Sequence, residues 1–224
     1  MRVRVPADAM VGRTVEAVEA RAKHLLIRFS GGLTLHTHMQ MTGAWHVYPA
    51  GEKWRKPGWQ ARVVLEAGDR VAVCFNAPTV ELLTERDEAE HVSLAGLGPD
   101  VLQPPVDLDE VRRRAASRPP DYTIGELLLD QPVVSGIGNI YRCEALFLCR
   151  THPKTPWPDA DLDELVRTAS KVMLTRVDAR TPYRANVYDR AGRPCPRCRT
   201  PITAETYGAH PRTAYWCPTC QPLP

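Results

Sequence analysis

Cys195-x2-Cys198, eighteen intervening residues and then Cys217-x2-Cys220 constrain the fold more than any other feature of this 224-residue chain. Two knuckles of paired thiols at this spacing read as the four ligands of a tetrahedral zinc ribbon, since reduced cysteines rarely pair so regularly by chance. Pro194, Pro196, Pro218 and Arg193 surround the knuckles. A module of roughly 40–50 residues has too small a core to fold unaided, so the expected cofactor is structural Zn2+. The competing readings are a redox dithiol and unrelated buried cysteines. Cys74, Cys143 and Cys149 lie inside apolar segments and are expected in the core.

In a reducing compartment such cysteines stay reduced or bind metal. The opening MRVRVPADAM has basic residues with no apolar run behind them, which argues against a signal peptide, and no stretch approaches the length of a membrane span. A cytoplasmic, nucleoid-associated location is therefore expected. With 43% apolar and 25% charged residues, a disordered tail protein is excluded.

The first half of the chain reads as strands. Thr14–Arg21, Lys23–Phe29 and Leu33–His38 alternate apolar with polar residues, with Ser30-Gly31-Gly32 as a hairpin turn between the last two. Ala44–Tyr48 follows, then Gln60–Ala67 and Arg70–Phe75 around Gly68-Asp69, and Thr79–Leu83. Short strands at this spacing predict an antiparallel sandwich or barrel. After Gln103-Pro104-Pro105 the texture becomes helical. Asp107 caps a helix running to about Ser117, Thr123 opens one that stops near Pro132, Asn139 begins a third, and Asp161–Val177 is amphipathic.

Charge is asymmetric along the chain. Residues 1–110 hold 12 Lys/Arg against 15 Asp/Glu, whereas residues 111–224 hold 17 against 11. Of the 29 basic residues 24 are Arg, whose planar fork suits phosphate, so the C-terminal half points to nucleic acid; codon usage is the equally good bland explanation. Within that half, Asp130–Tyr141 (DQPVVSGIGNIY) places Gly136 and Gly138 before a helix opened by Asn139. Exposed backbone N–H groups and an amide at a positive helix end fit a phosphate, though an ordinary helix–turn–helix bend with an Asn cap explains the same residues.

Taken together, DQ-x4-GIGNIY, VYDRAGRPCPRC and HPRTAYWCPTC closely resemble the formamidopyrimidine-DNA glycosylase/endonuclease VIII family, and its endonuclease VIII branch most. RAKHLLIRF, LTLHTHMQMTGAWHV and GLGPDVL extend the resemblance over essentially the whole chain, in order. It implies an α+β fold: an N-terminal antiparallel β-sandwich, a helix–two-turn–helix domain and a zinc-ribbon β-hairpin with four Cys ligands. The corresponding domains are 1–103, 104–180 and 181–224. It further implies a base-excision-repair glycosylase with AP (β-elimination) lyase activity on oxidised bases, pyrimidines foremost, in duplex DNA, acting as a monomer.

By the same resemblance, Arg212 grips phosphates around the lesion and counts with Lys23 among the catalytic residues. Lys23 serves the lyase step, and Asn139 and Gly138 contact DNA. Gln40, Met41 and Thr42 fill the gap left by a flipped base, a task an adaptable apolar wedge suits, although a Met is also an ordinary core residue. Two departures stand out. Gly96 replaces a basic residue frequent in the family two positions before the Gly of its GPD motif, and the chain as written opens Met1-Arg2 rather than with the family's Pro-Glu. The alternative function is therefore a non-catalytic binder of damaged or abasic DNA, with Lys23 as the residual amine.

Three other features have bland readings. His36 and His38 share a strand face and are expected to be packed or solvated rather than metal-bound. Arg112-Arg113-Arg114 reads as a wet helix face, and Trp54 and Trp59, set among Lys53, Arg55 and Lys56, as parts of a flexible loop rather than base-stacking platforms.

Overall fold

A computed structural model of the chain describes residues 6–177, 179, 181 and 183–223. It resolves two compact units, Met1–Ala95 and Gly96–Pro224. The fold is α+β.

The first unit is built from β1 (Val15–Arg21), β2 (His24–Phe29), β3 (Leu33–His38), β4 (Ala44–Pro49), β5 (Ala61–Ala67), β6 (Arg70–Phe75) and β7 (Thr79–Thr84). Two antiparallel sheets form, ordered β1-β2-β3-β7 and β4-β6-β5. The period of two in each strand sends one set of side chains inward. Ile27, Phe29, Leu35 and Val80 from the first sheet bury against Val63 and Cys74 from the second, which makes the sandwich. On the other face of the first sheet, Leu26, His36 and Glu81 stand in register across β2, β3 and β7. A short helix absent from the sequence reading, α1 (Glu85–Ala89), follows β7, started by a capping box in which Thr84 and Asp87 satisfy each other's backbone N–H groups.

The second unit holds α2 (Leu108–Ala115), α3 (Ile124–Leu127), α4 (Asn139–Leu148), α5 (Leu162–Leu174) and the hairpin β8 (Thr203–Tyr207) and β9 (Arg212–Trp216). Asp107, Thr123 and Asp161 each accept an N–H three residues on, Asp107 as the sequence predicts and the other two as caps the structure adds. Ile124, Leu127, Leu146, Leu165 and Val166 make the helical core. The helices end earlier than their patterns suggest. After α3, Leu129 and Asp130 donate to carbonyls three residues back, and Arg176 and Val177 do so after α5, so each last turn tightens out of α geometry. The N-cap of α4 is Gly138, not Asn139, and Asn139 is the first helical residue. That shift frees the Asn139 side chain from capping.

Candidate nucleic-acid interface and zinc ribbon

The four knuckle cysteines converge with their sulfur atoms all within 4.8 Å of one another. The Sγ separations are 4.0 Å for Cys195–Cys220, 3.4 Å for Cys198–Cys217 and 3.5 Å for Cys198–Cys220. Zn–S bonds of about 2.3 Å place tetrahedral sulfurs roughly 3.8 Å apart, so the donor set fits zinc and no sulfur pair is close enough to be a disulfide. Backbone N–H groups of Arg197 and Cys220 donate to Cys195 and Cys217 Sγ at 3.4 Å each. Hydrogen bonding with Thr200 brings the exposed Cys198 thiol down to about 6. Zinc here is structural, closing the ribbon on Val187, Ile202 and, from α4, Phe147.

The ribbon is tied to the start of α4 by polar side chains from one helix face. Asn139 Nδ2 donates to the carbonyl of Thr213 at 2.9 Å, and Arg142 Nη2 donates to the same oxygen at 3.2 Å. Arg142 is 1% exposed, and its guanidinium lies 6.0 Å from the Tyr207 ring centroid, whose hydroxyl burial pushes up to about 12. Arg212, exposed at the start of β9, immediately precedes Thr213, so these two bonds fix the backbone that carries its guanidinium. Asn139 Oδ1 is buried without a hydrogen-bond partner. Gln131 builds the turn ahead of α4, donating to the Leu129 and Ile137 carbonyls and accepting from Gly136 N–H. Gly136 needs its glycine, with φ +96° and a built Cβ 3.0 Å from Asp100 Oδ1, whereas a Cβ at Gly138 would meet open space. The space beside Gly138 is open at the N-terminus of α4, where the first helical N–H groups have no partner within the helix.

Glu144, fully buried two residues beyond Arg142, anchors the segment leading into the ribbon. Its Oε2 accepts from Tyr183 Oη–H, Asn186 N–H and Asn186 Nδ2–H, and its Oε1 from Val187 and Tyr188 N–H. Sequence reasoning missed Arg142 and Glu144. The available signal was two charged residues inside the otherwise apolar helix NIYRCEALFL, at positions that the helical period turns inward.

In the first unit, Lys23 falls in the two-residue turn joining β1 and β2 rather than in the strand, because Ala22 adopts φ +53° and starts the turn. Lys23 is exposed there. Burial, with the positive field of His36, His38, His91 and Lys23, takes His24 down to about 4, and burial and Lys23 also lower His38. Gln40, Met41 and Thr42 form the tip between β3 and β4. Gly43 N–H closes it on Met39 O at 2.8 Å, Thr42 Oγ1–H pins it to Asn76 O at 3.1 Å, and Met41 is 92% exposed. A core position for Met41 is excluded. His36 is indeed packed, at 1% exposure, and Cys74 and Cys143 are core residues. Arg112, Arg113 and Arg114 all find carboxylates within the chain, at Asp109, Asp163 and Glu110. Trp54 packs edge-on against Phe75 at 5.9 Å, and Trp59 stays 77% exposed.

Comparison with known proteins agrees with this architecture. The chain matches the Formamidopyrimidine-DNA glycosylase N-terminal domain over residues 2–79, the Formamidopyrimidine-DNA glycosylase H2TH domain over 97–180, and a zinc finger found in FPG and IleRS over 192–223. It is 39% identical over 237 residues to a probable endonuclease 8 2 of Streptomyces coelicolor, covering 99% of this chain and 85% of that protein. With endonuclease 8 of Escherichia coli it shares 34% identity over 226 residues, 95% of this chain and 85% of the relative. Among solved structures, Lactococcus lactis FPG in a complex with FAPY-dG containing DNA superposes with a TM-score of 0.81 at 20% identity, covering 96% of this chain and 85% of that one. A complex of the same organism's Fpg with abasic-site DNA gives 0.77 at 20% identity, over 95% and 83%. Among the described residues no helix is long and apolar enough to cross a membrane. The chain belongs to the formamidopyrimidine-DNA glycosylase/endonuclease VIII family.

Proposed function

We propose that this chain is a base-excision-repair DNA glycosylase with AP lyase activity on oxidised bases, pyrimidines foremost, in duplex DNA. The observation that carries the reading is the shared Thr213 carbonyl, where Asn139 and Arg142 hold the backbone beneath an exposed Arg212. A guanidinium held this way beside the open N-terminus of a helix is a phosphate grip. The identity with endonuclease 8 relatives along nearly the whole chain supplies the reaction class. In this reading Arg212, Asn139 and the backbone at Gly138 bind phosphates, and Gln40 and Met41 enter the stack where a base has been flipped out.

Lys23 serves the lyase step. Its amine adds to C1′ of the abasic sugar, water leaves, and an imine forms. Loss of a C2′ proton then expels the 3′ phosphate with the electrons of the C3′–O bond. The protein acts as a monomer in the cytoplasm, on nucleoid DNA.

The test is a duplex carrying one thymine glycol, assayed for base release, strand nicking and borohydride trapping. Release, nicking and a trapped complex support the proposal, and Lys23→Ala should reduce nicking at a preformed abasic site. Tight binding to abasic duplex with no excision and no trapping would instead make the chain a binding protein. Undiminished trapping in the Lys23 variant would give the nucleophile's role to another amine.

A further inference from the structure

A second group of metal-ligand side chains lies in the first unit, apart from the ribbon. His36 from β3, Glu81 from its directly paired position on β7, and His91 from the segment after α1 present ligand atoms within 4.8 Å of one another. Glu81 Oε2 stands 3.0 Å from His36 Nδ1 and 3.0 Å from His91 Nε2. From this geometry we propose that His36, Glu81 and His91 form a second metal site that takes a divalent transition ion of the zinc class.

Two imidazoles and one carboxylate match that class, being the protein ligands of open zinc centres and of other first-row ions, while hard ions such as Mg2+ prefer all-oxygen sites. Bonds of about 2.0–2.1 Å to nitrogen and oxygen put tetrahedral donors about 3.4 Å apart. The two carboxylate–imidazole separations need widen by only a few tenths of an ångström, and the two imidazole nitrogens already lie within 4.8 Å of each other. His36 is 1% exposed, and its far nitrogen Nε2 lies 2.8 Å from His24 Nδ1, so its ring is held with Nδ1 toward the site. This outer contact orients the ring, and binding an ion at Nδ1 moves the His36 proton to Nε2, from which it is donated to His24 Nδ1. Burial also disfavours protonation of His36, leaving a lone pair for a metal near neutrality. Glu81 and His91 are partly exposed, which leaves an entry path and room for a water as fourth ligand. The cost is the contact in which Ser93 N–H donates to His91 Nδ1 at 3.2 Å, because that nitrogen must carry the proton once Nε2 binds the ion.

Without an ion, the same atoms form a closed hydrogen-bonded network, with Glu81 Oε2 accepting from both imidazoles. Metal stoichiometry separates the two readings. Protein whose ribbon already holds one equivalent of zinc is titrated with Zn2+ by calorimetry, alongside Glu81→Gln, His91→Gln and, as a control outside the cluster, His46→Gln. The expected result is a second, weaker equivalent in wild type and the control that both cluster variants lose. Their retained first equivalent reports that they are folded. Excess Zn2+ should also raise the unfolding midpoint of wild type but not of either cluster variant. No second equivalent in wild type, or a second equivalent and midpoint shift that survive both substitutions, overturns the proposal.

Discussion

Replacing Glu144 with Gln isolates the carboxylate that anchors the ribbon, because the side chain keeps its length and shape. The native group accepts five hydrogen bonds, three on Oε2 and two on Oε1, at 2.8–3.1 Å. An amide has one oxygen, so its NH2 must face donors whichever way it turns. The less costly orientation puts NH2 at the Oε1 position, against Val187 and Tyr188 N–H, since only two bonds are then lost. Both N–H groups point into a site where Glu144 is 0% exposed, so water cannot replace the lost acceptor without rearrangement. At about 1–3 kcal/mol for each orphaned buried donor, Glu144→Gln should destabilise the second unit by about 2–6 kcal/mol. That is a large share of the roughly 5–15 kcal/mol holding a typical domain. Denaturant unfolding of zinc-loaded protein, followed by circular dichroism, measures it. Glu205→Gln, which breaks only the exposed Lys154 pair, should cost less than about 1 kcal/mol and serves as control. A Glu144→Gln cost no larger than that of the control would refute the reasoning.

Three further outcomes are expected. Cys198→Ser, or chelation of the zinc, should unfold the ribbon and remove DNA binding together, because the ion's binding energy is the ribbon's folding energy; full affinity in metal-free protein would contradict this. Arg212→Ala should weaken binding to every duplex sequence and flatten the slope of log K against log salt by up to about one, whereas Asn139→Ala should weaken binding with zinc retained, and an affinity independent of salt would defeat the phosphate reading. His152, buried against Trp216, is held below its ordinary 6.5 by desolvation. The unfolded chain therefore takes up its proton first, and stability should fall as pH drops below about 6.5. His152→Asn, whose side-chain oxygen can still accept from Lys154 N–H, should reduce that fall, as thermal unfolding at pH 5 and 7 would show.

What the sequence discloses depends on whether a feature is local. Knuckle spacing is local, so the ribbon and its metal are legible from Cys195 to Cys220 before any fold is known. Strand alternation and the Ser30-Gly31-Gly32 turn are local too: β3 lies where they predict, and β2 starts one residue later, after Lys23. The ends of α3 and α5 are not, because three-residue-back hydrogen bonds, rather than the apolar period, stop those helices. The histidine cluster is the least local of all. His36 meets Glu81 only because β3 and β7 pair in that register, and His24 meets His38 only through the register of β2 with β3. A slip of one residue would send every one of those side chains to the opposite face. The sequence can place His36 and His38 on one face of a strand, but the partner that converts a packed imidazole into a candidate ligand lies 45 residues away, on a strand whose alignment is set by the burial of Leu35 and Val80. The apolar core of the sandwich thus fixes the chemistry on its reverse face, and a substitution at Leu35 that shifted the register would dismantle the cluster without touching any member of it.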